Sequence, residues 1–222
     1  MTKDKTNKTI VYIDGQNFLY KAAEILINSN NINNKQDLTK IDIRFILDKI
    51  LNKSDYEIRF YGVKRIKRRH NFGDDILGKS IRFSDNLRRI RNYLSVSGID
   101  YIEAGQLKIR DSDVCKSCGE QDLRFQEKGV DVGLAVDMVK DSLSGSVDCV
   151  VLLSSDTDLL PAVKVVKGSI KEIIYVGFSD RLTGALTENT TKTEAIRDNE
   201  IIEAYNIANK TPRRERIQTE GL

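Results

Sequence analysis

With three cysteines in 222 residues, the chain cannot build the disulfide framework of a small secreted domain. It has no apolar run approaching the roughly 18 residues that a membrane-crossing helix needs. The lysines of MTKDKTNKT are not followed by an apolar core, because Ile10-Val11-Tyr12-Ile13 meets Asp14 at once. These absences argue against a membrane span and a secretory leader, and they predict a cytoplasmic protein with no membrane partner. His70 is the one histidine, so a histidine-rich metal site is excluded. No internal repeat or low-complexity linker asks for a second domain. A single domain over residues 1–208 is expected, with 209–222 a mobile polar tail.

The hydrophobic fraction of 40% and charged fraction of 31% suit a folded globular chain. The net charge of +3 conceals an asymmetry: residues 59 to 91 hold eleven Lys/Arg against three Asp, leaving the remainder at −5. The densest parts are VKRIKRRH at 63–70, with Lys64, Arg65, Lys67, Arg68 and Arg69, and LRRIR at 87–91, with Arg88 and Arg89. Such a block suits an RNA backbone, since each Lys or Arg that meets a phosphate releases condensed counterions. A merely solvated surface is the plainer alternative.

Strand and helix signals alternate along the chain. TIVYI at 9–13 is β-branched and aromatic and ends at Asp14-Gly15, and FLYKAAEILI at 18–27 has helical periodicity. Further helices are expected at 41–51, 74–96, 130–142 and 158–166, with a short helix near 181–187 and another at 193–208. Strands are expected at 56–63, 99–105, 148–153 and 171–178. This order predicts an α/β/α sandwich around a mainly parallel sheet. Residues 106–127 read as an inserted hairpin or knuckle whose arms, LKIR and LRFQ, flank Cys115-Lys-Ser-Cys118.

In an open parallel sheet, sites lie beyond the carboxyl ends of the strands. The first strand delivers Asp14 and Asn17 there, and VVLLSSDTDLLPAV delivers Asp156 and Asp158. Each motif has a structural reading too: Asp14 and Asn17 suit a helix start, and Ser155-Asp-Thr-Asp158 has capping-box form. The helix at 130–142 adds Asp131, which falls within the arc of Val132, Leu134, Ala135, Val136, Met138 and Val139, where a solvated acid would not sit. Asp137 falls on the polar side and is a weaker candidate, either solvated or a hydrogen-bonding support. A pair of carboxylates about 4 Å apart repels by about 4 kcal/mol at an effective dielectric of about 20. A divalent cation removes that penalty, and an all-oxygen donor set suits Mg or Mn rather than Zn. A metal-activated water would then be the nucleophile toward a phosphodiester. Asn17 would hold that water or the scissile phosphate, and Ser155 or Thr157 would bond the carboxylates.

IVYIDGQNF, EKGVDVGLAVDMV and VVLLSSDTDLLPAV, in this order, resemble the NYN domain family, a branch of the PIN-like ribonucleases that includes the LabA and DUF88 proteins. The resemblance covers roughly residues 9–178. It implies a PIN-like fold and metal-dependent cleavage of RNA. It also implies catalytic roles for Asp14, Asn17, Asp131, Asp156 and Asp158, and it retains Asp137 as an acid of the family pattern. Two departures stand out: Ser154-Ser155-Asp156 where Ser-Gly-Asp is frequent, and Leu159 where an aromatic is common.

Cys115 and Cys118 have the spacing of half a zinc site. The other ligands would come from His70, Asp113 or a second subunit in a homodimer; a redox pair or a tight turn are the alternatives. Cys149, inside a strand, reads as packing. Tyr61, Tyr93 and Tyr101 could stack bases but also fit core or rim positions. The overall expectation is a Mg- or Mn-dependent endoribonuclease acting on single-stranded RNA. The rivals are a non-catalytic RNA-binding module and, more remotely, a haloacid-dehalogenase-type phosphatase, whose DxD motif is missing after Asp14.

Overall fold

The computed structural model describes residues 8–51, 55–64, 74–111 and 123–210. Seven strands form one sheet in the order β4-β3-β2-β1-β5-β6-β7. They are β1 (Thr9–Asp14), β2 (Glu57–Val63), β3 (Asp100–Asp111), β4 (Leu123–Lys128), β5 (Cys149–Leu153), β6 (Glu172–Phe178) and β7 (Lys192–Ile196). All neighbouring pairs are parallel except β3 with β4. The helices are α1 (Gly15–Asn28), α2 (Ile43–Leu51), α3 (Asp74–Val96), α4 (Val130–Leu143), α5 (Leu160–Ser169), α6 (Gly184–Asn189) and α7 (Asp198–Lys210), with 3₁₀ turns at Lys35–Asp37 and Thr157–Leu159.

The period-two alternation of the strands divides the interior into two cores. Val11, Ile13, Ile58, Phe60, Val151 and Leu153 face α1, α2 and α7. Ile10, Tyr12, Tyr61, Val150 and Leu152 face α4, α5 and α6. Cys149 packs within the first core at 4% exposure, in keeping with a packing role. The long α3 lies along the β2–β3 side and gives Leu94 to the first core and Leu87 to the second. Because both faces are covered, the central strands are near-continuous apolar runs, and β5 is buried at every position.

The sheet departs from the sequence expectation in three places. The expected strand at 99–105 continues to Asp111, because Gln106–Asp111 pairs antiparallel with β4. The paired segments include the expected arms LKIR and LRFQ; residues 112–122, with Asp113, Cys115 and Cys118, lie outside the described residues. Residues 193–208, expected as one helix, divide into β7 and α7. Helix propensity in Thr-Glu-Ala yields there to pairing with β6, which offers a free edge. The short helix expected at 181–187 begins at Gly184.

The chain order runs outward from β1 in both directions, through β2 and β3 on one side and β5 to β7 on the other. The gap between β1 and β5 is therefore the switch point, where loops diverge and leave a crevice at the carboxyl edge.

Candidate active site

Asp14 ends β1 and caps α1. Its carboxylate accepts the Asn17 backbone N–H at 3.1 Å on Oδ1 and the Ser154 hydroxyl at 3.0 Å on Oδ2. Gly15 follows because α1 starts against β2: a Cβ at Gly15 would lie 2.4 Å from the Tyr61 carbonyl oxygen. Ser154 also accepts the Asp156 N–H at 3.1 Å, so one hydroxyl joins the ends of β1 and β5. Asp156 in turn accepts the Asp158 N–H at 2.9 Å and caps the 3₁₀ turn. The capping residue is thus Asp156 rather than Ser155. The Ser155 hydroxyl instead meets the Asn17 carboxamide, 2.9 Å from Nδ2 and 3.1 Å from Oδ1. The hydroxyl on Asp14 is Ser154's, where Ser155 or Thr157 was expected to bond the acids.

Opposite these two turns, β4 runs into α4 through Gly129, whose φ of +85° belongs to the left-handed region that glycine adopts without steric cost. The turn sets Glu127 before it and Asp131 after it on one cleft of about 460 Å³, shared with Asp14, Asn17 and Asp156. Burial holds the Asp14 carboxyl above its ordinary range against the pull of its two hydrogen bonds, and the charges of Asp156 and Asp131 push it further. Glu127 is pushed up to about 7, first by burial and then by the charges of Asp14 and Asp131. Each electrostatic push locates the acids in one another's field.

The packing of α4 corrects the sequence reading of that helix. Leu134 and Met138 are fully buried, but Val132 and Val136 are 61% and 58% exposed. The buried stripe is Val130, Leu134, Met138 and Ser142, and Asp131 sits at its edge, facing the cleft. The side taken as polar packs on the sheet: Asp137 accepts the Tyr61 hydroxyl at 3.0 Å, and Asp141 accepts that of Tyr12 at 2.7 Å and the Arg59 guanidinium. Asp137 is therefore a hydrogen-bonding support beneath α4 and does not line the cleft. Asp158 is exposed in its turn and is likewise absent from the cleft lining.

Three cleft residues, Lys21, Arg181 and Glu127, are not among those expected from the sequence. Lys21 is 6% exposed on the Phe18–Ala22 stripe, and a lysine on an apolar stripe is its sequence signal. Its ammonium donates to Glu24 at 2.8 Å, and Arg181 reaches the same carboxylate at 3.2 Å. Glu24 is held below the usual carboxylate range by that Lys21 hydrogen bond and by both cations. Arg181 follows the end of β6, where the strand-edge rule would have found it. Glu127 has no such clue.

Of the basic residues, Lys64, Arg88 and Arg89 are exposed, and Arg88 pairs with Asp85 at 3.3 Å. Arg65, Lys67, Arg68, Arg69 and His70 lie outside the described residues. Tyr61 is buried, and Tyr101 donates to the Val63 carbonyl at 2.9 Å, which are packing roles.

The NYN domain model matches residues 8–198. This chain belongs to the NYN family. Its members are nuclease-type domains, and the seven-stranded α/β sheet accords with their PIN-like fold. Among curated proteins, it is 26% identical over 179 residues to 6-hydroxy-3-succinoylpyridine 3-monooxygenase HspA of Pseudomonas putida (strain DSM 28022 / S16), covering 72% of this chain. The NYN chain spans about half, 55%, of that relative's length. A crystal structure of a protein of unknown function from Vibrio parahaemolyticus RIMD 2210633 aligns with a TM-score of 0.54 at 16% identity, over 88% of this chain and 96% of that one. That likeness concerns the fold alone.

NYN and PIN-like nucleases commonly use divalent metals, and the donor chemistry of this cleft fits such an ion. Asp14, Asp131, Asp156 and Glu127 offer the oxygen donors that Mg or Mn takes, with Asp14 in the field of Asp131 and Asp156 and Glu127 in that of Asp14 and Asp131. Among the described residues no three acidic, histidine or cysteine side chains are close enough to form a preassembled cage. No helix among the described residues is long and apolar enough to cross a membrane.

Proposed function

We propose that this NYN protein is a metal-dependent endoribonuclease that cuts single-stranded RNA in the cleft between β1, β5 and α4. The observation that carries this reading is the arrival of Asp14, Asp131 and Asp156 from three distant segments on one cleft, with Asp14 half-buried and within the field of the other two.

Asp14, Asp131, Asp156 and Glu127 would hold the metal. A bound Mg or Mn supplies an activated water and offsets charge developing on the phosphate oxygens. The chain's own groups do the positioning. The Ser154 hydroxyl and the Asn17 N–H fix both oxygens of Asp14, and the Ser155 hydroxyl fixes the Asn17 carboxamide at the cleft wall. Lys21 and Arg181, both on the lining and both tethered by Glu24, supply positive charge for a substrate phosphate. Asp158 and Asp137 would act through the Asp156 turn and through Tyr61, respectively, rather than by touching the metal. The Cys115–Cys118 pair remains a candidate zinc half-site.

Metal-stripped protein should leave defined RNA oligonucleotides intact and regain cleavage when Mn or Mg is added, with DNA oligonucleotides run alongside. Asp14→Asn and Asp156→Asn should each lower the rate at least about 100-fold while leaving the fold and RNA binding in place. RNA binding without cleavage in the wild type would favour the non-catalytic RNA-binding alternative. Unchanged cleavage in both variants would remove these acids from the site.

A further inference from the structure

A second cavity, of about 270 Å³, opens beside the acidic cleft and shares Gln16, Tyr20 and Glu127 with it. Its walls differ in kind from those of the cleft. Leu19 on α1, Val63 and Tyr101 on the sheet, and Phe83, Leu87 and Ile90 on α3 make it mainly apolar and aromatic. The three α3 residues recur at the spacing of one helix face. Next to that stripe, Arg82 and Arg89 stand about one turn either side of Asn86, which lies on the groove's rim, and both arginines are exposed. Tyr20 is 50% exposed at the junction of the two cavities, and the Lys35 ammonium lies 3.3 Å from its ring centroid, fixing the ring by a cation–π contact.

We infer that this groove is a nucleobase subsite, which takes an unstacked base of the single-stranded substrate next to the phosphate held in the acidic cleft. The inference rests on the ribonuclease reading for the identity of that phosphate. Three observations select this occupant over another apolar one. The groove is continuous with the cleft, so a base and the phosphate of the same strand can be held together. The exposed Arg82 and Arg89 flank Asn86 along α3 and offer charge to a neighbouring backbone, and half-exposed Tyr20 offers an aromatic ring beside apolar walls, the combination that binds single strands with little hydrogen-bond readout. A duplex cannot use it without unpairing, so the subsite would also supply the preference for single strands.

The test uses RNA oligonucleotides carrying one 2-aminopurine at successive positions, bound to the whole protein in chelator so that no cleavage occurs. Fluorescence should be quenched at one position only. Asn86→Trp, which fills the groove from its rim, and Tyr20→Ala should abolish that quench, while Tyr20→Phe and Asp14→Asn should keep it. With metal present, an abasic nucleotide at the same position should lower kcat/KM about 5- to 100-fold, in line with one lost stacking contact. Uniform or absent quenching overturns the subsite. So does a result in which Asn86→Trp leaves the quench intact and instead disrupts self-association, which would give the groove to a second copy of the chain. Position-specific quenching without cleavage would sink the ribonuclease reading and keep the subsite; cleavage without it would do the reverse.

Discussion

Glu127 shows how much one side chain's surroundings decide. In the metal-free protein the unfolded chain releases its proton near the ordinary 4.5, and the folded chain near 7. Between those values the folded state holds more protons, so stability falls as pH rises across the window. Glu127→Gln removes this loss. In chelator at pH 8 the variant should be more stable than wild type by on the order of 1–2 kcal/mol, a figure reduced for the partial exposure of the group. The two should converge below pH 4.5. Urea melts across pH would decide it, and parallel stability curves would refute the assignment. Ser154 acts at the same scale in the opposite sense, since its hydroxyl favours the ionised form of Asp14. Ser154→Ala should weaken Mn binding by roughly 10- to 100-fold, as loss of a ligand's supporting hydrogen bond generally does. Calorimetric titration would check it, with an unchanged circular dichroism spectrum as the control.

Among the elements, the two turns that deliver the acids are built differently, and their glycines should respond differently. Gly129 is held at φ +85° with nothing within 4 Å of an added Cβ. Gly129→Ala should therefore cost only the left-handed backbone penalty, about 1–2 kcal/mol, yet tilt Glu127 and Asp131 and reduce cleavage. Gly15→Ala meets the Tyr61 carbonyl at 2.4 Å, a backbone atom that cannot rotate away. It should cost about 3 kcal/mol or more, as overpacking does. Thermal melts of the pair would test the order, and a Gly15→Ala protein as stable as Gly129→Ala would contradict it. The elements also differ in how far they could be read in advance. β1, β5 and α5 were legible because their apolar runs and turn residues agree with their final state. β7 was not, because Lys192–Ile196 becomes a strand only through β6. The α4 face was misassigned because Val132 and Val136 are apolar yet sit on its solvent side, while Asp137 and Asp141 are polar yet have tyrosine partners beneath the helix.

At the scale of the molecule, the ribonuclease reading needs an acidic cleft to accept a negative substrate, and the flanking cations resolve that conflict. Lys21 and Arg181 line the cleft, while Lys64, just after β2, and Arg82 and Arg89, on α3, are exposed. RNA affinity should therefore fall steeply with salt. The double variant Arg82→Ala/Arg89→Ala should flatten the log–log salt slope by about 1.4, at about 0.7 per lost single-strand phosphate contact. Its cleavage rate at saturating RNA should stay near that of the wild type. An unchanged slope in fluorescence anisotropy titrations would remove these arginines from the path of the strand.

The sequence by itself determined the alternation of strands and helices, the family, and the strand-end acids Asp14 and Asp156, because these depend on local periodicity and on which residue types can follow a buried strand. Only the tertiary structure decided which hydroxyl holds Asp14, that Asp137 supports Tyr61 rather than facing the cleft, and that Glu127 joins the acids. Those outcomes depend on the packing of segments far apart in the chain, as when Asp137 meets Tyr61 across 76 positions and Ser154 closes on Asp14 across 140. The strand order around β1 made that closure possible.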